Sequence, residues 1–180
     1  MEKKTENRIN ITEVVEKYHS MVFRIAVGFV HIREDAEDIT QEVFIKIYQN
    51  REKFRGESEI STWLYRITVN TSLNFIAQKK RRGFLQFGDE LLKNLFGKAG
   101  ERKNLHQELE EAEEKAEIRK VIDSLPEKQR IAFILTRYDE LPQKEVAEIM
   151  QISQRAVEQL LLRAKANLNK KMAPAIRNRK

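Results

Sequence analysis

Cysteine is absent from this 180-residue chain. Without thiols the chain has no disulfide framework, no thiolate nucleophile and no cysteine-containing zinc site. Proline and glycine are scarce, at three and six residues, while charged residues make up 34% of the sequence. This composition favours long, surface-exposed helices. The hydrophobic share of 41% supplies small cores, and the length allows one or two small domains.

Long apolar runs are also missing. The longest, Ile25–Val30, is far shorter than the roughly 20 residues that a membrane-spanning helix needs. Residues Met1–Asn10 are polar and lack the apolar stretch of a signal peptide. We therefore expect no membrane insertion and a cytoplasmic location.

No constellation of catalytic or metal-ligating residues stands out. The three histidines, His19, His31 and His106, are scattered and have no partner at ligand spacing. No glycine-rich loop resembles a phosphate cradle. The sequence therefore predicts no catalytic residue, no metal site, no cofactor and no enzymatic activity.

The apolar residues recur at helical spacing, which predicts an all-α chain without internal repeats. The first part should contain helices Thr12–Val30 and Glu34–Arg51 and a third that ends near Arg82. Ser61 or Thr62 is placed to cap the third helix. The inner stripe of the second helix consists of Ala36, Ile39, Val43 and Ile47, and Phe44 and Tyr48 are expected to widen it.

The middle of the chain changes in composition. Residues Gly83–Gly100 contain four glycines and are expected to be irregular, and an acidic stretch follows. Residues 83–116 hold five Lys and Arg against eight Asp and Glu. We interpret residues 83–115 as an acidic linker between two small helical domains, 10–82 and 116–172.

The segment Leu141–Lys170 predicts a helix-turn-helix. Its first helix is Gln143–Met150, and its second runs from Gln154 to about Lys170. Ser153 is placed to cap the second helix, because its hydroxyl can accept a first-turn N–H. The inward stripe of the second helix consists of Val157, Leu161, Ala164 and Leu168.

The outward face of that second helix carries side chains that bond base edges and phosphates. These are Gln154, Arg155, Glu158, Gln159 and Arg163. This is the layout of a helix placed in a major groove. Residues 117–180 hold 14 Lys and Arg against 8 Asp and Glu, which favours phosphate contact. The alternative is a helical hairpin whose polar face is simply solvated.

Three N-terminal segments resemble bacterial sigma factors of the extracytoplasmic-function (ECF) group, the smallest members of the sigma-70 family. They are Asp35–Phe44, Phe54–Gly56 and Ser61–Ile67. The pair Leu125-Pro126, followed by Arg130 and the helix-turn-helix, matches the second domain of the same family. The resemblance covers almost the entire chain in the expected order, and the ten-residue block from Asp35 is its most specific part.

The resemblance implies a factor without catalysis of its own, which binds core RNA polymerase and brings it to promoter DNA. A sigma-2-like helical bundle meets the −10 element and helps to open the duplex. A sigma-4-like helix-turn-helix domain meets the −35 element. Apolar surfaces that polymerase would cover are also a natural target for an anti-sigma factor.

By resemblance, one face of the second helix docks on the β′ coiled coil of core polymerase, whose β subunit is a further partner. The residues of this face are Asp35, Asp38, Gln41 and Glu42. An acidic and amide surface would complement a basic partner helix. Without the family match, a solvated surface explains the same residues.

The resemblance also assigns the contacts with the −10 element. The candidate residues are Phe54, Arg55, Ser58, Trp63, Arg66, Asn70, Asn74, Lys79, Lys80, Arg81 and Arg82. Stacking of a splayed base on an aromatic side chain contributes roughly 1–3 kcal/mol. The loop from Phe54 to Glu59 resembles the pocket that captures a flipped base, and such a flip costs a few kcal/mol. The alternative for Trp63 is a place in the core.

Contacts with the −35 element fall on the second helix of the helix-turn-helix and its cap. The candidates are Ser153, Arg155, Glu158, Gln159, Leu162 and Arg163. Arg163 can bond guanine, Gln159 adenine and Glu158 cytosine, while phosphate positioning is the alternative for both arginines. The chain departs from the family at Gln151, where glycine is frequent, and at Glu158 and Leu160, where a basic residue is common.

Two other functions compete with the sigma factor. A stand-alone helix-turn-helix regulator would bind a palindrome as a dimer, but it has no use for the N-terminal docking block. An interaction protein whose helix-turn-helix has lost DNA binding is the third interpretation, and Glu158 and Leu160 keep it open.

Overall fold

The computed structural model describes residues 10–54, 59–94 and 116–177, and side chains at 53, 83–94 and 173–177 are left out of the description. Within these ranges the chain is all-helical, as predicted. Its helices are α1 (Ile11–Val30), α2 (Arg33–Asn50), a 3-10 turn (Arg51–Lys53), α3 (Ile60–Asn94), α4 (116–123), α5 (Glu127–Arg137), α6 (Gln143–Met150) and α7 (Gln154–Arg177).

Helices α1, α2 and α3 form an N-terminal bundle. The Asn10 side chain caps α1 by accepting the Thr12 N–H at 3.1 Å, and His31 ends the helix in the left-handed region at φ 60°. The predicted stripe of α2 is fully buried in the N-terminal core, where it meets α1 and Leu64 of α3. The 3.6-residue periodicity therefore located the buried face of α2 correctly.

The third helix differs from its prediction at both ends. Neither Ser61 nor Thr62 caps it, because α3 already begins at Ile60. The expectation that it ends near Arg82 is also wrong, because it continues to Asn94 through Gly83 and Gly88. Glycine lowers helix propensity by only about 1 kcal/mol, and no proline interrupts this stretch. The first part of the predicted linker is therefore helical.

The helix-turn-helix follows its prediction closely. Helix α6 has the predicted bounds, and α7 begins at Gln154 but extends beyond Lys170 to Arg177. Ser153 accepts the Ala156 N–H at 3.2 Å and so caps α7. Gln151 ends α6 in the left-handed region at φ 55°, the conformation that a glycine adopts more readily.

The two domains share a second core. On its N-terminal side it contains Ile25, Phe29, Tyr65 and Val69, and on its C-terminal side residues of α5, α6 and α7 such as Ile134. Helix α1 packs on α5, and α3 packs on α6. We call this boundary the seam.

Buried hydroxyl groups are a further feature of the bundle. Thr40 donates to the carbonyl of Ala36, Thr68 to that of Leu64 and Ser72 to that of Thr68, at 2.7–2.8 Å. Each hydroxyl therefore bonds a carbonyl of its own helix, four residues earlier, which satisfies a polar group that would otherwise be costly to bury.

Candidate docking and nucleic-acid interfaces

The outer face of α2 is open to solvent. Asp38, Gln41 and Glu42 are exposed, and Glu42 pairs with Lys46 at 2.6 Å. Asp35 differs, because its side chain is only 16% exposed and lies 2.5 Å from the Lys79 ammonium of α3. Two residues predicted for different partners thus bind each other.

Two apolar residues that sequence reasoning missed continue this face. Ile45 is 56% exposed and Tyr48 is 55% exposed. They follow Asp38 and Gln41 by the helical spacing that places side chains on one face. For Ile45 the signal was available, because it falls outside the predicted inner stripe of α2. Tyr48 was predicted to widen that stripe, and this prediction is wrong, because its side chain projects beyond the buried face into solvent. We call this set the docking row: Asp38, Gln41, Glu42, Ile45 and Tyr48.

The docking row has the composition of a protein-protein interface. Arg51 lies over the Tyr48 ring, with its guanidinium carbon 4.4 Å from the ring centroid. An apolar centre with a polar rim is the usual anatomy of such interfaces, and Tyr and Arg are enriched in them.

The aromatic residues at the start of α3 are partly covered. The rings of Phe54 and Trp63 lie 5.2 Å apart at 45°. Trp63 packs against the N-terminal core and is half-buried. It therefore contributes to the core, one predicted alternative, and still keeps part of its side chain exposed, as the other alternative requires. Arg55 and Ser58 lie outside the described residues.

The next positions along α3 are split between two environments. Asn70 and Asn74 are exposed, as are Lys79, Lys80, Arg81 and Arg82. Arg66 is instead engaged by the C-terminal domain. Its Nη2 donates to the Glu148 carbonyl at 2.7 Å and its Nε to the Ile149 carbonyl at 3.3 Å. We call the side of α3 that carries Trp63, Arg66, Asn70 and Asn74 the strand face.

The outward face of α7 is free. Arg155, Glu158, Gln159 and Arg163 are exposed, and Leu162 is 56% exposed. The opposite side of the helix carries Val157 and Ala164, which are fully buried. These five exposed side chains form the recognition face, and burial on the other side fixes its direction.

No group of three or more His, Cys, Asp or Glu side chains capable of holding a metal ion occurs in the described ranges. No helix within those ranges is long and apolar enough to cross a membrane.

Comparison with known proteins gives two family matches. Residues 14–82 match the model of Sigma-70 region 2, and residues 115–168 match that of Sigma-70, region 4. The first covers most of α1, all of α2 and the beginning of α3, with the whole docking row and the whole strand face. The second covers the helix-turn-helix.

Curated relatives match most of the chain. The RNA polymerase sigma-H factor of Pseudomonas aeruginosa is 33% identical over 91% of this chain and 86% of its own length. The ECF RNA polymerase sigma-E factor of Escherichia coli K12 is 36% identical over 79% of this chain and 76% of its own length.

Solved structures share the fold. CnrH, in complex with the cytosolic domain of CnrY, matches with a TM-score of 0.64 over 94% of this chain and 92% of its own, at 19% identity. RpoE of Bartonella quintana, in complex with the anti-sigma factor NepR, matches with a TM-score of 0.60 at 18% identity, over 91% of this chain and 97% of its own. Together with the relatives, these findings show that the chain belongs to the ECF sigma factors of the sigma-70 family and directs RNA polymerase in transcription initiation.

Proposed function

We propose that three faces of this sigma factor each bind a different part of the transcription machinery or the promoter. The docking row of α2 binds the β′ coiled coil of core polymerase, the strand face of α3 holds the opened −10 strand, and the recognition face of α7 meets the −35 duplex. The proposed domains are residues 10–82 and 116–172. The observation that carries the proposal is the exposed docking row with Ile45 at its centre, because a DNA-binding regulator does not need it.

The recognition face combines polar and apolar readers. Gln159 and Glu158 are suited to adenine and cytosine edges, and Arg163 to guanine or a phosphate. Leu162 lies in the same exposed face and is suited to the methyl group of thymine, which is an apolar feature of the major groove. Loss of Leu162 should therefore lower the preference for thymine at one −35 position, while binding to other bases changes little.

The test is reconstitution with core polymerase. Run-off transcription over a promoter library should yield transcripts that depend on this chain and should define the −10 and −35 sequences. Arg163→Ala should weaken −35 dependence by roughly 1–3 kcal/mol if Arg163 contacts a base. Binding of a palindromic duplex without polymerase, with no transcript, would instead favour the stand-alone regulator.

An anti-sigma factor is a further proposed partner. Two proteins of the same fold, CnrH and RpoE, have been solved with CnrY and with the anti-sigma factor NepR. The exposed apolar residues of the docking row give such an inhibitor a surface for which polymerase competes. Pull-down of purified candidate inhibitors, with Ile45→Asp as the comparison variant, tests this competition.

We also propose that the protein is located in the cytoplasm and has no enzymatic activity of its own. Transcription takes place where the nucleoid and polymerase are, and the proposed chemistry of this chain is binding. Cell fractionation, with core polymerase as the marker, tests the location.

A further inference from the structure

The recognition face of α7 contains one acidic side chain, that of Glu158. The other members of this face are Arg155, Gln159, Leu162 and Arg163. Glu158 is exposed, and it forms no ion pair with any residue that the structure describes. A negative charge on a surface that approaches phosphates weakens binding to every DNA sequence alike. The carboxylate is therefore informative, because only a specific donor on the DNA can compensate for its charge.

The start of α7 fixes the direction of this carboxylate. Val157 and Ala164 are fully buried on the opposite side of the helix. Ser153 caps the first turn by accepting the Ala156 N–H at 3.2 Å. Glu158 follows in the second turn, and the N-terminal residues of a recognition helix are those that contact base edges in the major groove. Its carboxylate is thus placed among the side chains that can reach a base.

The chemistry of a carboxylate distinguishes the four bases in this groove. An ionised carboxylate only accepts hydrogen bonds. Cytosine presents the N4 amino group as a donor, whereas guanine presents the acceptors N7 and O6, and thymine presents the acceptor O4 and a methyl group. Adenine places the N6 donor beside the N7 acceptor. Glu158 therefore has a favourable partner on cytosine, a mixed one on adenine and none on guanine or thymine.

The neighbours of Glu158 increase this discrimination. Leu162 follows Glu158 by four residues, which places it on the same face, and it is 56% exposed. In a complex with DNA this apolar side chain would displace water from the carboxylate, and a desolvated acceptor that faces another acceptor is costly. Arg155 precedes Glu158 by three residues on the same face, and its positive charge offsets the repulsion between the carboxylate and the phosphates.

We propose that Glu158 determines the −35 specificity of this chain, and that it selects cytosine at one position chiefly by rejecting guanine and thymine. The inference rests on the proposed role of the recognition face and deepens it. Specificity is a difference between two affinities, and an unpaired charge against the wrong partner creates such a difference. Glu158 consequently lowers the affinity for wrong promoters more than it raises the affinity for the right one.

Two substitutions at this position test the inference in the complete holoenzyme. Glu158→Gln keeps the size of the side chain but adds a donor, and glutamine is suited to two hydrogen bonds with adenine. Glu158→Ala removes the carboxylate and, because alanine favours helices, does not weaken α7. Glu127→Gln removes the same charge at an exposed position of α5 and serves as the control. Each chain is combined with core polymerase and a promoter library randomised in the −35 element, and run-off transcripts are sequenced.

The expected result is a change in base preference at a single position. The parent chain should favour cytosine over guanine and thymine there by about tenfold, as for one good base contact. Glu158→Ala should bring the four bases to within about threefold of one another, because transcription from the guanine and thymine promoters rises. Glu158→Gln should move the preference to adenine. The control should reproduce the parent profile.

Three other results would overturn the inference in different ways. A cytosine preference that persists in both Glu158 variants refutes the assignment of this residue. An equal loss of transcription from all −35 sequences in Glu158→Ala also refutes it, because the carboxylate would then contribute to folding or to polymerase contact. If the parent chain itself transcribes the library without any −35 dependence, the proposed role of the recognition face fails, and the inference fails with it.

Discussion

Helices α2 and α3 belong to one bundle, yet their outer faces have different surroundings. The docking row of α2 is exposed along its whole length, whereas Arg66 on the strand face of α3 is bonded to the end of α6. Both faces carry polar side chains beside apolar ones, and both lie opposite a buried stripe. The difference shows that helical periodicity identifies a solvent-side face but does not decide whether another domain covers it.

The difference also gives substitutions on the two helices different expected effects. A substitution in the docking row leaves the contacts between the domains untouched, whereas Arg66→Ala removes two hydrogen bonds to the end of α6. Stability should therefore respond more strongly to the loss of Arg66 than to changes in the docking row.

Charge reversal in the docking row should have the largest effect. We expect Asp38→Arg to weaken binding of core polymerase roughly 100-fold, because a like charge would face the basic partner helix. The circular dichroism spectrum should not change, since Asp38 is exposed. Glu16→Arg makes the same charge change at an exposed position of α1 and serves as the control. Equal polymerase affinity in Asp38→Arg would refute the docking assignment.

Arg66→Ala should lower the stability of the chain, because it removes the hydrogen bonds of the guanidinium to the Glu148 and Ile149 carbonyls. We expect the free energy of unfolding to fall by about 2 kcal/mol, as for hydrogen bonds made by a charged group. Thermal or urea unfolding measures this loss. Asn70→Ala, at an exposed position of the same face, is the control. Equal losses in both variants would show that the Arg66 bonds do not contribute.

Ile45→Ala should measure the contribution of the apolar centre of the docking row to polymerase affinity, apart from that of its acidic rim. We expect a loss of about 1 kcal/mol in polymerase affinity, near fivefold, with little change in stability because Ile45 is already exposed. Ile32→Ala removes a comparable exposed side chain from outside the row and serves as the control. An identical loss in both variants would contradict a localised docking row.

Alkaline pH should weaken the contacts at the seam through Tyr65. Burial, followed by the hydrogen bond to Asp139, raises the pKa of Tyr65 in the folded chain. Its contribution to stability is therefore complete below about pH 10 and is lost as the pH rises further. Arg24, Asp139 and Glu145 are the charged groups around the phenol. The free energy of unfolding should accordingly fall above about pH 10. Tyr65→Phe should lack this alkaline step, and its persistence there would assign the step to another group.

The smallest effect is expected at the turn of the helix-turn-helix. Gln151 has φ 55°, and a left-handed conformation costs a non-glycine residue about 1 kcal/mol or more. Gln151→Gly should raise the free energy of unfolding by about 0.5–1 kcal/mol, after the larger chain entropy of glycine is deducted. Thermal unfolding measures this gain, and transcription should be unchanged. A loss of stability would mean that the Gln151 side chain contributes more than its backbone costs.

The sequence was sufficient where a local rule determines the structure. The Ser153 cap gave the start of α7, and the predicted bounds of α6 are those of the structure. Ala36 and Ile47 were assigned to the core and are fully buried. Capping and periodicity act within one or two turns, so they can be evaluated without knowing the rest of the fold.

The sequence was insufficient where two distant segments meet. Asp139 belongs to an ordinary-looking loop, and its partners Arg24 and Tyr65 are 115 and 74 residues away. Arg66 was predicted for DNA without any sign of its bonds to α6. The end of α3 was misplaced because two glycines suggested a loop. Such long-range contacts depend on how the domains pack, which periodicity does not specify.

The buried hydroxyls of Thr40, Thr68 and Ser72 have a calorimetric consequence. Because each bonds a carbonyl within its own helix, these bonds persist when neighbouring helices separate. Separation of the helices of the N-terminal bundle should then expose chiefly apolar area, and apolar exposure increases heat capacity. Loosening of this core should accordingly give a positive heat-capacity change without loss of helix content.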